Sequence, residues 1–289
     1  MSLKKIFCFS VALACGSFGA QAEENAAQPA TLKADFRRVG LELSSTNVTH
    51  SREYQNSPVT QLSTDSQTVV KGVFDFLLEY NRDNLRWNNT VYAEYGETKV
   101  KPVDEPAETN ETADKIVFSS DYAHKMFKFK TIDFGPMAVA EYQTEFTAND
   151  DAPRTKVLRA KGGLKLFNGT VIKDLYIAGV AEYDMTYSNE HVSKSAGEIG
   201  WRIEDKPRDG VLFSTDGYYR RYFSFSRYVG TDLKYDLNLT ARMDVNVSDT
   251  LTFGPYLSYR YARSREADVA GSNFTIGVSF AYKDLFNLK

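Results

Sequence analysis

Leu233-Lys-Tyr-Asp-Leu-Asn-Leu-Thr-Ala-Arg-Met-Asp-Val-Asn-Val247 decides how the rest of the chain is read. Leu233, Tyr235, Leu237, Leu239, Ala241, Met243, Val245 and Val247 are apolar or aromatic, and every residue between them is polar. Successive side chains of a β-strand point to opposite faces, so a period of two over this length predicts one strand with one apolar and one polar face. At about 15 residues it is far longer than the usual five or six of a globular protein. Ser248-Asp249 then turns the chain, and alternation resumes from Thr250 to Ala262.

Working outward, the same period predicts twelve strands: 35–48, 67–81, 84–98, 115–124, 133–147, 156–167, 173–187, 195–204, 210–225, 231–247, 250–263 and 272–286. Short connections hold Asn81-Arg-Asp-Asn84, Phe167-Asn-Gly169, Lys206-Pro-Arg-Asp209 and Ser248-Asp249, and longer ones span 49–66, 99–114, 148–155 and 264–271. Membrane barrels have short turns on the periplasmic side and longer loops outside. An even strand count puts both ends of the barrel on the short-turn side. The expected fold is an all-β, transmembrane, antiparallel up-and-down barrel of about twelve strands over residues 33–289, with lipid on its apolar face. Burying so many charged strand faces in a dry core would cost several kcal/mol per ion.

The chain has 289 residues, net charge −3, 25% charged and 42% apolar residues. No basic face suggests nucleic acid as a partner. The N-terminus has Lys4 and Lys5, an apolar run from Ile6 to Ala14, and Ala20-Gln21-Ala22. That order reads as a secretory signal peptide, residues 1–22, cleaved after Ala22. Lipid attachment at Cys15 is the second reading, with Ala12 where such signals prefer Leu. Both cysteines, Cys8 and Cys15, lie in this segment. Residues 23–32 read as a flexible periplasmic lead-in.

Arg86-Trp-Asn-Asn-Thr-Val-Tyr-Ala-Glu-Tyr-Gly96, Ala113-Asp-Lys-Ile-Val-Phe118, Phe134-Gly-Pro and Glu141-Tyr-Gln-Thr-Glu-Phe146 carry a resemblance. Over roughly residues 70 to 285 the chain resembles the uncharacterised bacterial outer-membrane barrels often grouped with the salt-induced outer-membrane proteins. The resemblance implies an outer-membrane barrel with no established activity. It also implies the barrel-assembly machinery as a partner, which reads a terminal aromatic residue. Here Phe286 is followed by Asn287-Leu288-Lys289, a departure from that pattern.

The polar faces predict the lumen. Its basic residues are Lys71, Arg86, Arg159, Lys161, Lys165, Arg202, Arg220, Lys234, Arg242, Arg260 and Lys283. Its acidic residues are Asp75, Glu79, Glu94, Asp121, Glu141, Glu145, Glu182, Asp184, Glu198, Glu204, Asp216, Asp236 and Asp244. The segments 133–147, 156–167 and 173–187 run acidic, basic, acidic, so opposite charges meet across strands about 4.8 Å apart. Two readings follow: a salt-bridged filling, or a charged pore for small solutes. Twelve strands lie between the eight that side chains fill and the sixteen that leave a wide channel. The leading expectation is a narrow porin-like channel, and the second a non-conducting barrel with a structural or envelope role.

Three further features stand out. In Tyr218-Tyr-Arg-Arg-Tyr-Phe223, Arg221 falls on the lipid side near the outer edge, and Arg227, Arg263 and Arg265 follow nearby. Guanidinium groups grip phosphate as bidentate forks, so two readings stand: contact with lipopolysaccharide phosphates, or a plain interfacial girdle of snorkelling arginines with no specific lipid. The 101–114 segment carries Asp104, Glu105, Glu108, Glu111 and Asp114 without regular calcium-loop spacing, and Asn110 sits in a short glycan-acceptor pattern. His191-Val-Ser193 has the His-x-Ser spacing of outer-membrane phospholipases but no matching flanking motif, and His50 and His124 have no comparable partner. An activated serine needs a base and a group that orients it. The expectation is no enzyme, with an outer-membrane phospholipase-like barrel as the minor alternative, and no metal or cofactor.

Overall fold

The computed structural model describes residues 30–54, 57, 59–63, 68–100, 108–148 and 153–288. The strands are β1 (Thr31–Thr49), β2 (Thr68–Arg82), β3 (Leu85–Val100), β4 (Glu108–His124), β5 (Phe127–Phe129), β6 (Ile132–Thr144) and β7 (Val157–Phe167). They continue with β8 (Ile172–Asp184), β9 (Val192–Arg208), β10 (Val211–Phe225), β11 (Leu233–Asn246), β12 (Leu251–Ser264) and β13 (Gly271–Asn287). A 3-10 turn, Ser51–Tyr54, and one helical turn, α1 (Thr60–Ser63), lie between β1 and β2. The signal-peptide and Cys15 readings fall outside the described residues.

Sequence-neighbouring strands pair antiparallel except β4 and β5, and β1 closes on β13 from Lys33↔Asn287 to Thr49↔Ser272. Closure removes the free edges that otherwise invite aggregation. The thirteen strands make twelve staves, because β4 and β5 share one. β4 pairs with the upper part of β6 (Ile116↔Thr144 to Ala123↔Met137) and β5 with its lower end (Phe127↔Phe134 to Phe129↔Ile132). The break sits where His124 carbonyl oxygen crosses Gly135; a Cβ there would lie 1.7 Å from that oxygen. Only glycine permits that approach.

The strand bounds correct several expectations. β1 starts at Thr31, so Thr31 and Leu32 pair with Asn81 and Tyr80 and do not belong to a lead-in. β3 and β4 extend to Val100↔Glu108, so the expected 99–114 loop is largely a ladder. β9 continues to Arg208, and Asp209-Gly210 makes the turn, with Gly210 at φ 74°. Asp-Gly is the dipeptide such two-residue hairpins favour.

Alternation sets the two faces. Outside are large apolar groups such as Leu41 (63% exposed), Ile177 (60%), Phe213, Ile276 and Phe280. Phe36 touches Phe74, Phe76 and Phe286 near the turn end. Tyr219, Tyr235, Tyr261, Tyr259 and Phe274 form a continuous row near the loop end. Water-exposed surfaces rarely carry apolar patches beyond a few hundred Å². Among the described residues, about half of the buried side chains are polar or charged. One small apolar cluster remains: Tyr54, Leu62, Ala262 and Ala267, with Val59 and Leu233 against it.

Candidate functional site: the charged lumen and its throat

Register brings the charges together. Across β6, β7, β8 and β9, Glu141 stands opposite Arg159, Arg159 opposite Glu182, and Glu182 opposite Lys194. Directly opposed residues have Cβ atoms about 5 Å apart, within ion-pair reach. Arg159 donates from Nε to Glu182 at 2.6 Å and from Nη1 to Glu141 at 2.7 Å. Lys161 bridges Glu141 (3.2 Å) and Glu198 (2.8 Å), and Arg220 pairs with Glu198 at 2.5 Å. Tyr176 donates its hydroxyl to Glu198 (2.6 Å) and Tyr222 donates to Glu182 (2.9 Å). Lys194 reaches Glu182, Asp184 and the loop residue Asp232.

The facing wall repeats the scheme. Glu42, with its side chain fully buried, pairs with Arg242 (2.6 Å) and Lys71 (3.3 Å), and Lys71 continues to Glu94 (2.8 Å). Arg242 also lies over the Tyr256 ring at 4.6 Å. Asp236 takes Nη2 of Arg260 at 2.8 Å and the Tyr218 hydroxyl at 2.8 Å. Toward the turns, Asp244 pairs with Arg38 and Lys283, Asp75 with Arg37, and Arg202 with Glu204. Lys165 joins Asp121 and Asp174, and Arg86 also pairs with Asp174. Glu79 accepts from Asn81, and Glu145 accepts two bonds from Thr155 at the upper rim.

Lys234 stands apart from the expected lumen set. The β11–β12 register shifts between Leu233 and Tyr235. Leu233 therefore packs inward on the apolar cluster, while Lys234 is exposed and lines neither of the two lumen cavities. A second bulge, between Phe36 and Arg38 in β1, has the opposite effect. An extra residue breaks the alternation, so the consecutive Arg37 and Arg38 both find carboxylates. Strict period-two reading sends one of them outward, which is why neither was expected. Glu42, between the outward Leu41 and Leu43, was readable from the same alternation. Lys115, Asp174 and Lys194 were also missed, since strand ends blur the period.

The connection after β1 carries no period in the sequence, and its described part folds into the barrel. Tyr54 is 1% exposed, and its hydroxyl donates to the carbonyls of Ala262 (3.1 Å) and Val269 (2.9 Å). Leu62, in α1, is fully buried. Gln61 accepts from Arg260 through its side chain (3.1 Å) and from Asn273 through its carbonyl (2.7 Å). α1 thereby divides the lumen. An outer chamber of about 130 Å³ and an inner chamber of about 470 Å³ share four lining residues: Gln61, Glu94, Lys115 and Tyr218. Lys115 at this throat lies 5.6 Å from the Tyr92 ring centre. Asp216, on the lumen face of β10, presents open surface to the inner chamber.

The other candidates separate by their contacts. Arg227 pairs with Glu190 at 3.0 Å, and Arg265 stacks over Phe225 and Tyr228. Arg221 is exposed on the outer face, and Arg263 donates to Ala267 carbonyl at 3.2 Å. His191 stacks on Tyr183 and hydrogen-bonds with Ser188 carbonyl through Nε2, while the Ser193 N–H donates to Ser226. No hydrogen bond joins His191 to Ser193 among the described residues. His50 bonds Ala270 carbonyl through Nδ1. Asp114 caps Phe146 and Thr147, which occupies its carboxylate. Asp104 and Glu105, and the side chains of Glu108, Asn110 and Glu111, lie outside what is described.

A family model described as a protein of unknown function (DUF3078) matches residues 61–149. It does not single out the salt-induced group. A search of curated proteins finds no match. Among solved structures, the chain is similar to the NanC porin, with 12% identity, TM-score 0.39, and coverage of 83% of this chain and 98% of that one. It is similar to an outer-membrane channel from Pseudomonas putida F1, with 9% identity, TM-score 0.42, and coverage of 92% and 100%. It is also similar to outer-membrane phospholipase A from Escherichia coli, with 9% identity, TM-score 0.42, and coverage of 90% and 94%. At these identities nothing about activity passes from those proteins to this chain.

Proposed function

We propose that the chain is an exported outer-membrane barrel that passes ions and small polar solutes through a narrow lumen, with α1 as its constriction. The observation that carries this reading is the pair of polar chambers meeting at Gln61, Glu94, Lys115 and Tyr218. A lumen packed solid by its own side chains would cover Asp216, whose carboxylate instead faces open space in the inner chamber. The membrane part of the reading rests on the outer face. A transmembrane strand needs about 9–11 residues, and the shortest of the twelve staves, β7, has 11. The apolar wall lies between two aromatic rows, the arrangement that both membrane interfaces favour.

Mixed charge in the wall supports weak selectivity between anions and cations. The inner chamber is the wider vestibule, and the outer chamber with α1 sets the size limit. The test is conductance of the refolded chain in a planar bilayer. Discrete small steps are expected, and no steps above background would overturn the channel. That second outcome would favour a non-conducting barrel, a reading supported by the dense ion pairs and the fully buried Leu62.

A further inference from the structure

We propose that the outer rim carries a site for the phosphate groups of a phosphorylated glycolipid, built on Arg221, Tyr235 and Arg263. Arg221 stands opposite Tyr235 in the β10–β11 ladder, and Tyr235 stands opposite Arg263 in the β11–β12 ladder. The three residues thus form one row across three strands, on the face that also carries Tyr219 and Tyr261. Two strand spacings put the backbones of the two arginines about 10 Å apart, so both forks can converge over the tyrosine.

The height of the row fits a headgroup. From the inner turns, Arg221 lies about ten residues up β10 and Arg263 about twelve up β12, the length that crosses a bilayer. Tyrosine is enriched at that level. The free energy of a bare cation so close to lipid falls when an anion meets it. Among the described residues no hydrogen bond or ion pair engages the Arg221 guanidinium, and Arg263 spends one N–H on Ala267 carbonyl. Lys234, displaced by the β11 bulge, adds an exposed ammonium beside the row. Two nearby carboxylates are committed elsewhere: Glu190 pairs with Arg227, and Asp232 pairs with Lys194. Arg227 and Arg265 are held by the protein itself and take no part in the site.

The site rests on the membrane reading, and the test separates the two. The refolded chain in detergent is titrated with bisphosphorylated lipid A, with the same lipid after phosphatase treatment, and with inorganic phosphate as a competitor, and bound lipid is read by native mass spectrometry. Insertion into vesicles is read in parallel by protection from protease. Arg221→Gln with Arg263→Gln is expected to weaken lipid A binding by about tenfold or more, while Arg227→Gln leaves it unchanged. Phosphatase treatment is expected to weaken binding to the wild type similarly, and inorganic phosphate at matched concentration is expected to displace little. Equal binding by the double variant, or by the dephosphorylated lipid, overturns the site. Displacement by matched inorganic phosphate overturns the glycolipid as ligand. A chain that never inserts overturns the membrane reading and the site with it; a chain that inserts but ignores both arginines overturns the site alone.

Discussion

Leu62→Ala is expected to open the throat while leaving the barrel folded. Leu62 is fully buried against Tyr54, Ala262 and Ala267, and all of its packing serves to hold α1 inside the wall. Truncating a buried leucine to alanine costs about 2–5 kcal/mol. A factor of ten corresponds to about 1.4 kcal/mol, so the docked state of α1 weakens roughly 30-fold to several thousand-fold. The strand ladders do not include Leu62, so wall stability changes little. Tyr54→Phe removes a hydroxyl that reaches Ala262 and Val269, a loss of about 1 kcal/mol, and adds to the effect. Two assays run together: unitary conductance in a planar bilayer, and trypsin cleavage after Arg52, an exposed residue of the inward segment. Faster cleavage with larger conductance steps is the expected outcome. Faster cleavage with unchanged steps would show that α1 leaves without widening the path, and the assignment of the throat would fail.

The ion-pair wall makes a second prediction: Glu198→Ala, which strips the carboxylate shared by Lys161, Arg220 and Tyr176, should cost about 3–5 kcal/mol in urea unfolding. The exposed pair of Arg227 and Glu190 is its control, since Glu190→Gln should change stability by about 0–1 kcal/mol; equal effects would refute the difference in burial. Lys115→Glu reverses the one throat cation without an ion pair among the described residues, and should move the reversal potential in a salt gradient toward cation selectivity. An unmoved potential would place the ion path elsewhere. Gly254→Val should block folding, because a Cβ there would lie 1.8 Å from Met243 carbonyl, whereas Gly162→Ala, with open space around it, should fold normally by gel mobility before and after heating.

Alternation made the wall legible because each turn fixes a register and each register fixes a face. The row Glu141, Arg159, Glu182 and Lys194 follows from that logic, with Lys194 missed only because β9 begins three residues before the expected strand. The logic failed at bulges, where one extra residue inverts the parity: Arg37 and Arg38 both pair with carboxylates, and Leu233 and Lys234 exchange faces. A bulge leaves no mark in a period-two pattern beyond two like residues in succession. The throat was hidden for a different reason. Tyr54, Val59 and Leu62 are three apolar residues in a polar stretch, too few for any period. Their fate depends on a concave wall that exists only after the strands close. An apolar residue in an outer loop with no periodicity is nevertheless a signal worth reading, because water is a poor partner for it.

Wall and throat are held by different forces, and that difference bears on how such a barrel opens. Both cysteines precede residue 30, so no disulfide joins the described strands. Charge-assisted bonds hold the lumen wall to itself through shared hubs at Glu42, Glu182 and Glu198. α1 is anchored chiefly by apolar packing, and Arg260, its one charged partner among the described residues, keeps two bonds to Asp236 after Gln61 leaves. Releasing α1 therefore strands no buried charge, whereas moving any wall strand strands several. The wall is the rigid element and α1 the displaceable one. Salt distinguishes them: raising ionic strength screens the more accessible pairs of the wall, while excluded salts such as sulfate strengthen apolar docking. A throat of this construction should conduct less often in sulfate than in chloride at matched ionic strength, and the Leu62→Ala variant should lose that dependence.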